Sequence, residues 1–314
     1  VTVSATLPLP PLFPKKAVDP TSGATVARTT LGLVAYLRDP VHWANGGAAD
    51  LLRAYCGYVA PSELQWLTTS MMHRWVALDG LNIEGLAAPL VASFSGRQLR
   101  PLFRFDLVDD RAAPLRGFRY QENEPERDAP STSWLQLWMH PRQDPDALLG
   151  LMLELVQQHP VLYASAGYVL SWNSDRAAAA FEHGFRQASR YLGLDLPHPE
   201  STSRNIATGG ALPSANWLNY IDGELAEALG LNFPAPSGGV AVLPLRRGTL
   251  LRAGERPRLI DVNQMEHSPE YSAVAAQLDA ARRGSPSLPG VFDEAPDSTR
   301  GWLDRFTRPE YWPR

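Results

Sequence analysis

Cysteine is nearly missing: Cys56 is the only one in 314 residues, so no internal disulfide can form and a disulfide-stapled fold is excluded. Long apolar runs are missing as well. No stretch approaches the roughly 20 apolar residues that a membrane-spanning helix needs. The N-terminus has neither the basic region nor the apolar core of a secretory signal, and a cytoplasmic location is the expectation. Excess positive charge is also absent. The formal net charge of -4 speaks against a surface built to hold phosphate backbones and leaves an acidic patch free to attract a basic partner.

The signatures of catalysis are equally thin. The seven histidines, His42, His73, His140, His159, His183, His198 and His267, never recur at helical ligand spacing, which leaves a structural metal site unsupported. Gly-Xaa-Ser-Xaa-Gly does not occur. Thr208-Gly209-Gly210 and Ser237-Gly238-Gly239 lack the spaced glycines and lysine of a phosphate cradle. The one local knot of titratable groups is Asp261, Glu266, His267 and Glu270. It allows a metal-dependent hydrolase as an alternative, but an aspartate bonding backbone N–H groups in a turn is the simpler reading. Arg246, Arg247, Arg252, Arg256 and Arg258 make a basic hairpin, which allows a nucleic-acid-binding module and fits edge protection better. No enzyme activity and no cofactor are expected.

A hydrophobic share of 44% with nine tryptophans is that of a chain with a real core. At this length one large domain or two tightly packed halves are both open. Residues 1–24 hold five prolines and read as an extended arm. Thr29 to Leu37 is β-prone, and Ala48 to Tyr58 puts Leu51, Leu52, Tyr55 and Cys56 on one helical face. Leu99 to Val108 alternates as a strand, with Gly117 to Tyr120 as its partner. The polar, mostly acidic run 122–132, with Glu122, Glu124, Glu126 and Asp128, reads as a connecting loop between an N-terminal α+β half (25–121) and a C-terminal one (133–285). Trp134 to Met139 is a strand and Pro145 to Gln158 a helix. Gly167 to Trp172 is a strand, followed by a helix capped by Asp175 and closed by Gly193. Strand, turn and helix thus occur at 29–58 and again at 133–158, a pattern that fits a duplicated unit. The fold class expected is α+β: two related, tightly packed halves, each a mainly antiparallel or mixed sheet flanked by helices. The proline-broken tail 286–314 carries Trp302, Phe306, Tyr311 and Trp312 and is expected to pack back on the body.

The densest information lies from Asn205 to Arg283. Leu225, Ala228 and Leu229 form a short helix face ended by Gly230. Val240 to Leu245 and Thr249 to Ala253 form a hairpin, and Gly254-Glu255-Arg256-Pro257 a turn. Ser268 caps a last helix with Pro269 at its first position and Tyr271, Val274, Ala275 and Leu278 on its apolar stripe.

The ordered set Trp217-Leu218, Leu229-Gly230, Leu251-Arg252-Ala253-Gly254, Pro257, Asp261-Val262-Asn263 and Tyr271 with its helix resembles a family of type VI secretion immunity proteins linked to nuclease effectors of the VRR-Nuc kind. The resemblance covers the C-terminal quarter well and the rest in outline. Members often carry glycine before the aspartate, where this chain has Ile260, and a doubled glycine where it has Gly230-Leu231. The resemblance implies a protein that binds a cognate toxin effector and neutralises it by stoichiometric occlusion or distortion of its active site, without chemistry, cofactor, membrane or direct nucleic-acid contact. Trp217, Gly230, Gly254, Pro257, Asp261 and Tyr271 are then scaffold residues. Carboxylates at Glu122, Glu124, Glu126 and Asp128 suit the positive groove that a nuclease presents to its substrate, and would raise the association rate by steering.

Overall fold

Thr25–Leu37, thirteen residues rich in β-branched and aliphatic side chains, forms β2, the strand at the middle of the sheet. The computed structural model describes residues 13–14, 16–41, 47–70, 72–78, 102–123, 131–209, 212–233, 238–282, 296–309 and 312. The other strands are β1 (Ala17–Val18), β3 (Trp66–Thr69), β4 (Val76–Ala77), β5 (Leu102–Val108), β6 (Gly117–Asn123), β7 (Ser133–Met139), β8 (Val161–Trp172), β9 (Leu218–Asp222), β10 (Val240–Pro244) and β11 (Gly248–Ala253). They make one sheet of eleven strands in the order β10-β11-β9-β8-β2-β7-β6-β5-β3-β4, with β1 beside β2. Every pairing among these strands is antiparallel.

The helices are α1 (Gly47–Cys56), α2 (Pro145–Gln158), α3 (Ala177–Arg190), α4 (Pro199–Ala207), α5 (Gly223–Ala228), α6 (Pro269–Gln277) and α7 (Pro296–Leu303). The fold is therefore α+β on a large antiparallel sheet. β2 lies between β7 and β8, so the segments before and after the acidic run contribute to one continuous sheet.

Period-two alternation decides what each sheet face meets. Phe105 pairs with Tyr120, Tyr120 with Leu135, Leu135 with Ala35, and Ala35 with Ala164; these side chains share the face that carries the main core. There α1 sets the Tyr55 ring 6.1 Å from Phe118, α2 packs against α1, and α3 brings Phe181 to 6.0 Å from Trp172. The C-terminal segment closes over α3. Trp302, Phe306 and Trp312 are buried, and the Trp312 indole donates to the Ala188 carbonyl at 3.1 Å.

Several local expectations change. The residues around Leu218 form a strand that runs straight into α5; all five residues of β9 are buried, so no alternation marks it. Asn173, not Asp175, supplies the cap after β8: its side chain accepts the Asp175 N–H at 3.0 Å. Ser268 occupies the cap position of α6, but its hydroxyl donates to Glu270 at 2.9 Å instead of accepting a backbone N–H. Leu99 falls outside the described residues, and β5 begins at Leu102.

Candidate partner-binding surface

The opposite sheet face is of another kind. Arg104 pairs with Gln121, Gln121 with Trp134 and Trp134 with Tyr36, while Asp106 pairs with Arg119, Arg119 with Gln136 and Gly117 with Trp138. Alternation therefore brings arginine, tryptophan and amide side chains of β5, β6 and β7 to one side. At one end α4 covers this face, with the Ser203 hydroxyl donating to the Thr132 carbonyl at 2.8 Å. Val108, Trp138 and Val169 form a small apolar cluster there, separate from the main core, with Trp66 and Trp75 packed on it.

Charge on this face is fixed by pairing. The fully buried Asp106 accepts from Arg119 Nε at 2.7 Å and faces Arg104 Nη2 at 3.0 Å. Removing a carboxylate from water is expensive unless it is paired, so two guanidinium groups are held in register by one aspartate. Arg119 also lies 5.2 Å from the Trp138 ring, and Arg111 4.1 Å from the Trp66 ring, both within reach of cation–π attraction. Arg28 closes the row on Asp110.

Beside this row runs an open groove of about 720 Å³, lined by Arg74, Trp75, Arg104, Gln121, Asn123 and Trp134 among others. Its wall continues into a smaller cleft of about 80 Å³ through the shared Trp75 and Arg104. Tryptophan and arginine are the residue types that carry most binding energy at protein interfaces. The arrangement offers stacking surface and fixed donors.

The acidic run meets this groove at its two ends. Asn123 and Ser131 line it; Glu124, Glu126 and Asp128, between them, lie outside the described residues. Glu122 is not a loop residue. It belongs to β6, pairs in register with Phe103, and is only 4% exposed, because the pleat turns it to the helix-covered side.

The titratable knot around Asp261 is engaged internally. Both Asp261 oxygens accept from Arg190, at 2.7 to 3.0 Å, and Oδ1 also accepts the Asn263 N–H at 3.0 Å. Glu266 accepts the Asp261 N–H at 3.1 Å and lies 3.6 Å from Arg258. The Arg190 guanidinium bonded to Asp261 holds its carboxyl below the usual carboxylate range. Among the described residues no three His, Cys, Asp or Glu side chains are placed to hold a metal ion. In the basic hairpin, Arg246 and Arg247 are exposed, whereas Arg258 is bound to Glu266 and to the His267 carbonyl.

The remaining motif residues contact one another through the backbone. The Trp217 indole donates to the Gly254 carbonyl at 3.3 Å, and the Ala253 N–H donates to the Trp217 carbonyl at 2.8 Å. Gly254 and Gly230 have φ of 74° and 67°, a region that glycine enters without a Cβ penalty. Pro257 is buried, and the Tyr271 hydroxyl accepts the Arg258 N–H at 3.2 Å.

Sequence reading singled out the acidic loop and missed the groove beside it. The signal was present: Trp134, Gln136 and Trp138 alternate with Leu135 and Leu137. Two tryptophans at period two read as core until the register shows that they share a face with Arg104 and Arg119.

The family model described as TsiV, type VI immunity for VRR-NUC, matches residues 51–306. A solved structure, that of the Pseudomonas aeruginosa T6SS protein PA0821, superposes with a TM-score of 0.73 at 15% sequence identity, covering 94% of this chain and 90% of that one. At such identity the likeness speaks for the fold. None of the curated proteins matches the chain. Among the described residues no helix is long and apolar enough to cross a membrane.

Proposed function

The chain belongs to the type VI immunity family for VRR-NUC, its partner is a cognate nuclease effector, and we propose that it neutralises that effector by binding its active-site cleft one to one. The observation that carries this mechanism is the groove lined by Arg74, Trp75, Arg104 and Trp134 on the sheet face opposite the main core. Trp75, half-buried, is the stacking anchor on a floor formed by the buried Trp134; Arg74 and Arg104 are the directional donors. A stable complex needs roughly 1,200 Å² or more of buried surface, so the rim of the groove takes part. Glu124, Glu126 and Asp128 supply negative charge that steers the approach to a basic nuclease cleft.

No chemistry by the immunity protein itself is involved. The engagement of Asp261 by Arg190 and of Glu266 by Arg258 supports this over a metal-dependent hydrolase. Encounter with the toxin takes place in the cytoplasm. Trp217, Gly230, Gly254, Pro257, Asp261 and Tyr271 hold β9, β11 and α6 together and make no contact with the effector. We also read β2 with α1 and β7 with α2 as copies of one ancestral unit that gave two related halves; the pairing of β2 with β7 and the contact of α1 with α2 support that reading.

The test is alanine substitution in the groove. Trp75→Ala is expected to weaken binding of the cognate effector at least tenfold, about 1.4 kcal/mol, and Arg74→Ala by a smaller factor, with unchanged circular dichroism. Full affinity in both variants would remove the groove from the interface.

A further inference from the structure

Two non-glycine residues among those described have positive φ, Ile260 at 60° and Met265 at 54°. They bracket a short loop, and no residue from 260 to 267 lines the groove. An L-residue with a Cβ is strained in that conformation, whereas glycine or asparagine enters it readily. Met265 is moreover 81% exposed, the most exposed of the large hydrophobic side chains described. Neighbouring Asn263, Gln264, Glu266 and His267 are exposed too. The tip thus combines backbone strain with an apolar side chain in water, and neither contributes to the packing of this protein.

The stems of the loop are held from several sides. Arg190 grips Asp261 through both carboxylate oxygens, and Asp261 in turn accepts the Asn263 N–H. Glu266 reaches back to the Asp261 N–H at 3.1 Å, and Arg258 donates to the His267 carbonyl at 3.0 Å. Below them Gly193 and Leu192 donate to the carbonyls of Leu259 and Ile260 at 2.7 and 3.1 Å. A network that over-determines a strained loop while leaving its apolar tip free is the arrangement of a preorganised contact element, in which ordering costs are met before binding.

We propose that residues 262–267 form a second, rigid contact element whose Met265 side chain enters an apolar recess of the nuclease effector. Asn263 and Gln264 hydrogen-bond its rim. Methionine suits the role, being unbranched and polarisable and able to fill a recess that branched side chains would fit less easily. The proposal rests on the immunity reading and names a surface distinct from the groove residues.

The experiment compares wild-type protein, Met265→Asn and Arg190→Leu for binding to the cognate effector by surface plasmon resonance, with thermal melts of each. Asparagine tolerates the left-handed backbone and removes the apolar tip. Met265→Asn is therefore expected to melt at or above the wild-type temperature and yet to bind at least tenfold more weakly, chiefly through faster dissociation. Arg190→Leu leaves Met265 in place but loosens the loop, and is expected to weaken binding as well; should it fail to fold, Met265→Asn alone decides. Wild-type affinity retained within twofold by Met265→Asn overturns the proposal and leaves the immunity reading standing. Absence of wild-type binding overturns the immunity reading itself. Self-association of wild-type protein that Met265→Asn abolishes, with effector affinity unchanged, would assign the tip to a second copy of this chain and overturn the effector assignment.

Discussion

Arg190 and Asp261, 71 residues apart in the chain, meet as a fork: Nε lies 3.0 Å from both carboxylate oxygens and Nη2 2.7 Å from Oδ2. The last residue of α3 is thereby tied to the loop that precedes α6. Both carboxylate oxygens accept from Arg190, and Oδ1 also caps the turn at Asn263, so one side chain joins a long-range contact to a local one.

This fork has a pH signature. Because Arg190 depresses the Asp261 pKa, its stabilising contribution is present above the unfolded-state value of about 3.9 and is lost as pH falls through the folded value. Asp261→Asn should lower stability at pH 7 by about 2 kcal/mol, the scale of hydrogen bonds to charged groups. The difference from wild type should shrink below about pH 4. Urea melts at pH 7 and pH 3 check this; an equal deficit at both would show that the charge plays no part.

Ile260 and Met265 share a backbone conformation and should respond oppositely to glycine. At buried Ile260 the strain relieved, about 1–2 kcal/mol, is smaller than the packing lost, about 2–5 kcal/mol. Ile260→Gly should therefore destabilise by about 2 kcal/mol. At exposed Met265 no packing is lost, and Met265→Gly should be neutral or stabilising by up to about 1 kcal/mol. Parallel denaturant titrations give the comparison, and loss of stability in both would mean that the strain is not felt.

Cys56, the last residue of α1, is buried, and burial pushes its thiol up to about 12. Thiolate is the reactive form, so a disulfide reagent at pH 8 should leave the native protein unmodified and label it stoichiometrically in denaturant. Rapid labelling of the native state would place this helix in a locally open state.

The acidic run makes a kinetic prediction. Reversing Glu124, Glu126 and Asp128 to lysine together should slow association with the effector about tenfold at low salt and flatten its salt dependence, with less change in dissociation. Stopped-flow association at two ionic strengths measures it. Glu122 is left out of the set, because its burial in β6 makes its reversal a test of folding.

Much of the scaffold was legible because it follows short-range rules. The helix at Pro145–Gln158 begins with a capping aspartate and a proline at its first turn, the β10–β11 hairpin has a tight connection, and Gly230 and Gly254 sit where positive φ requires them. Hidden were the features set by distant partners. All residues of β9 are buried, which erases the period that marks a half-exposed strand. α4 is short and polar, with Ser203 buried by a bond to Thr132 that no local pattern announces. The fork of Arg190 on Asp261 spans two elements, so Asp261 alone read as a turn residue. The groove depends on register: only when β5, β6 and β7 are aligned do Arg104, Arg119, Trp134 and Trp138 share a face.

The measurement that bears most directly on the mechanism is titration of the cognate nuclease effector with this protein, following heat of binding and residual nuclease activity together. One-to-one binding, with activity falling to zero at equivalence and the effector's substrate competing with the immunity protein, is the predicted result. Tight binding that leaves the nuclease active, or inhibition at far below one equivalent, would contradict stoichiometric occlusion.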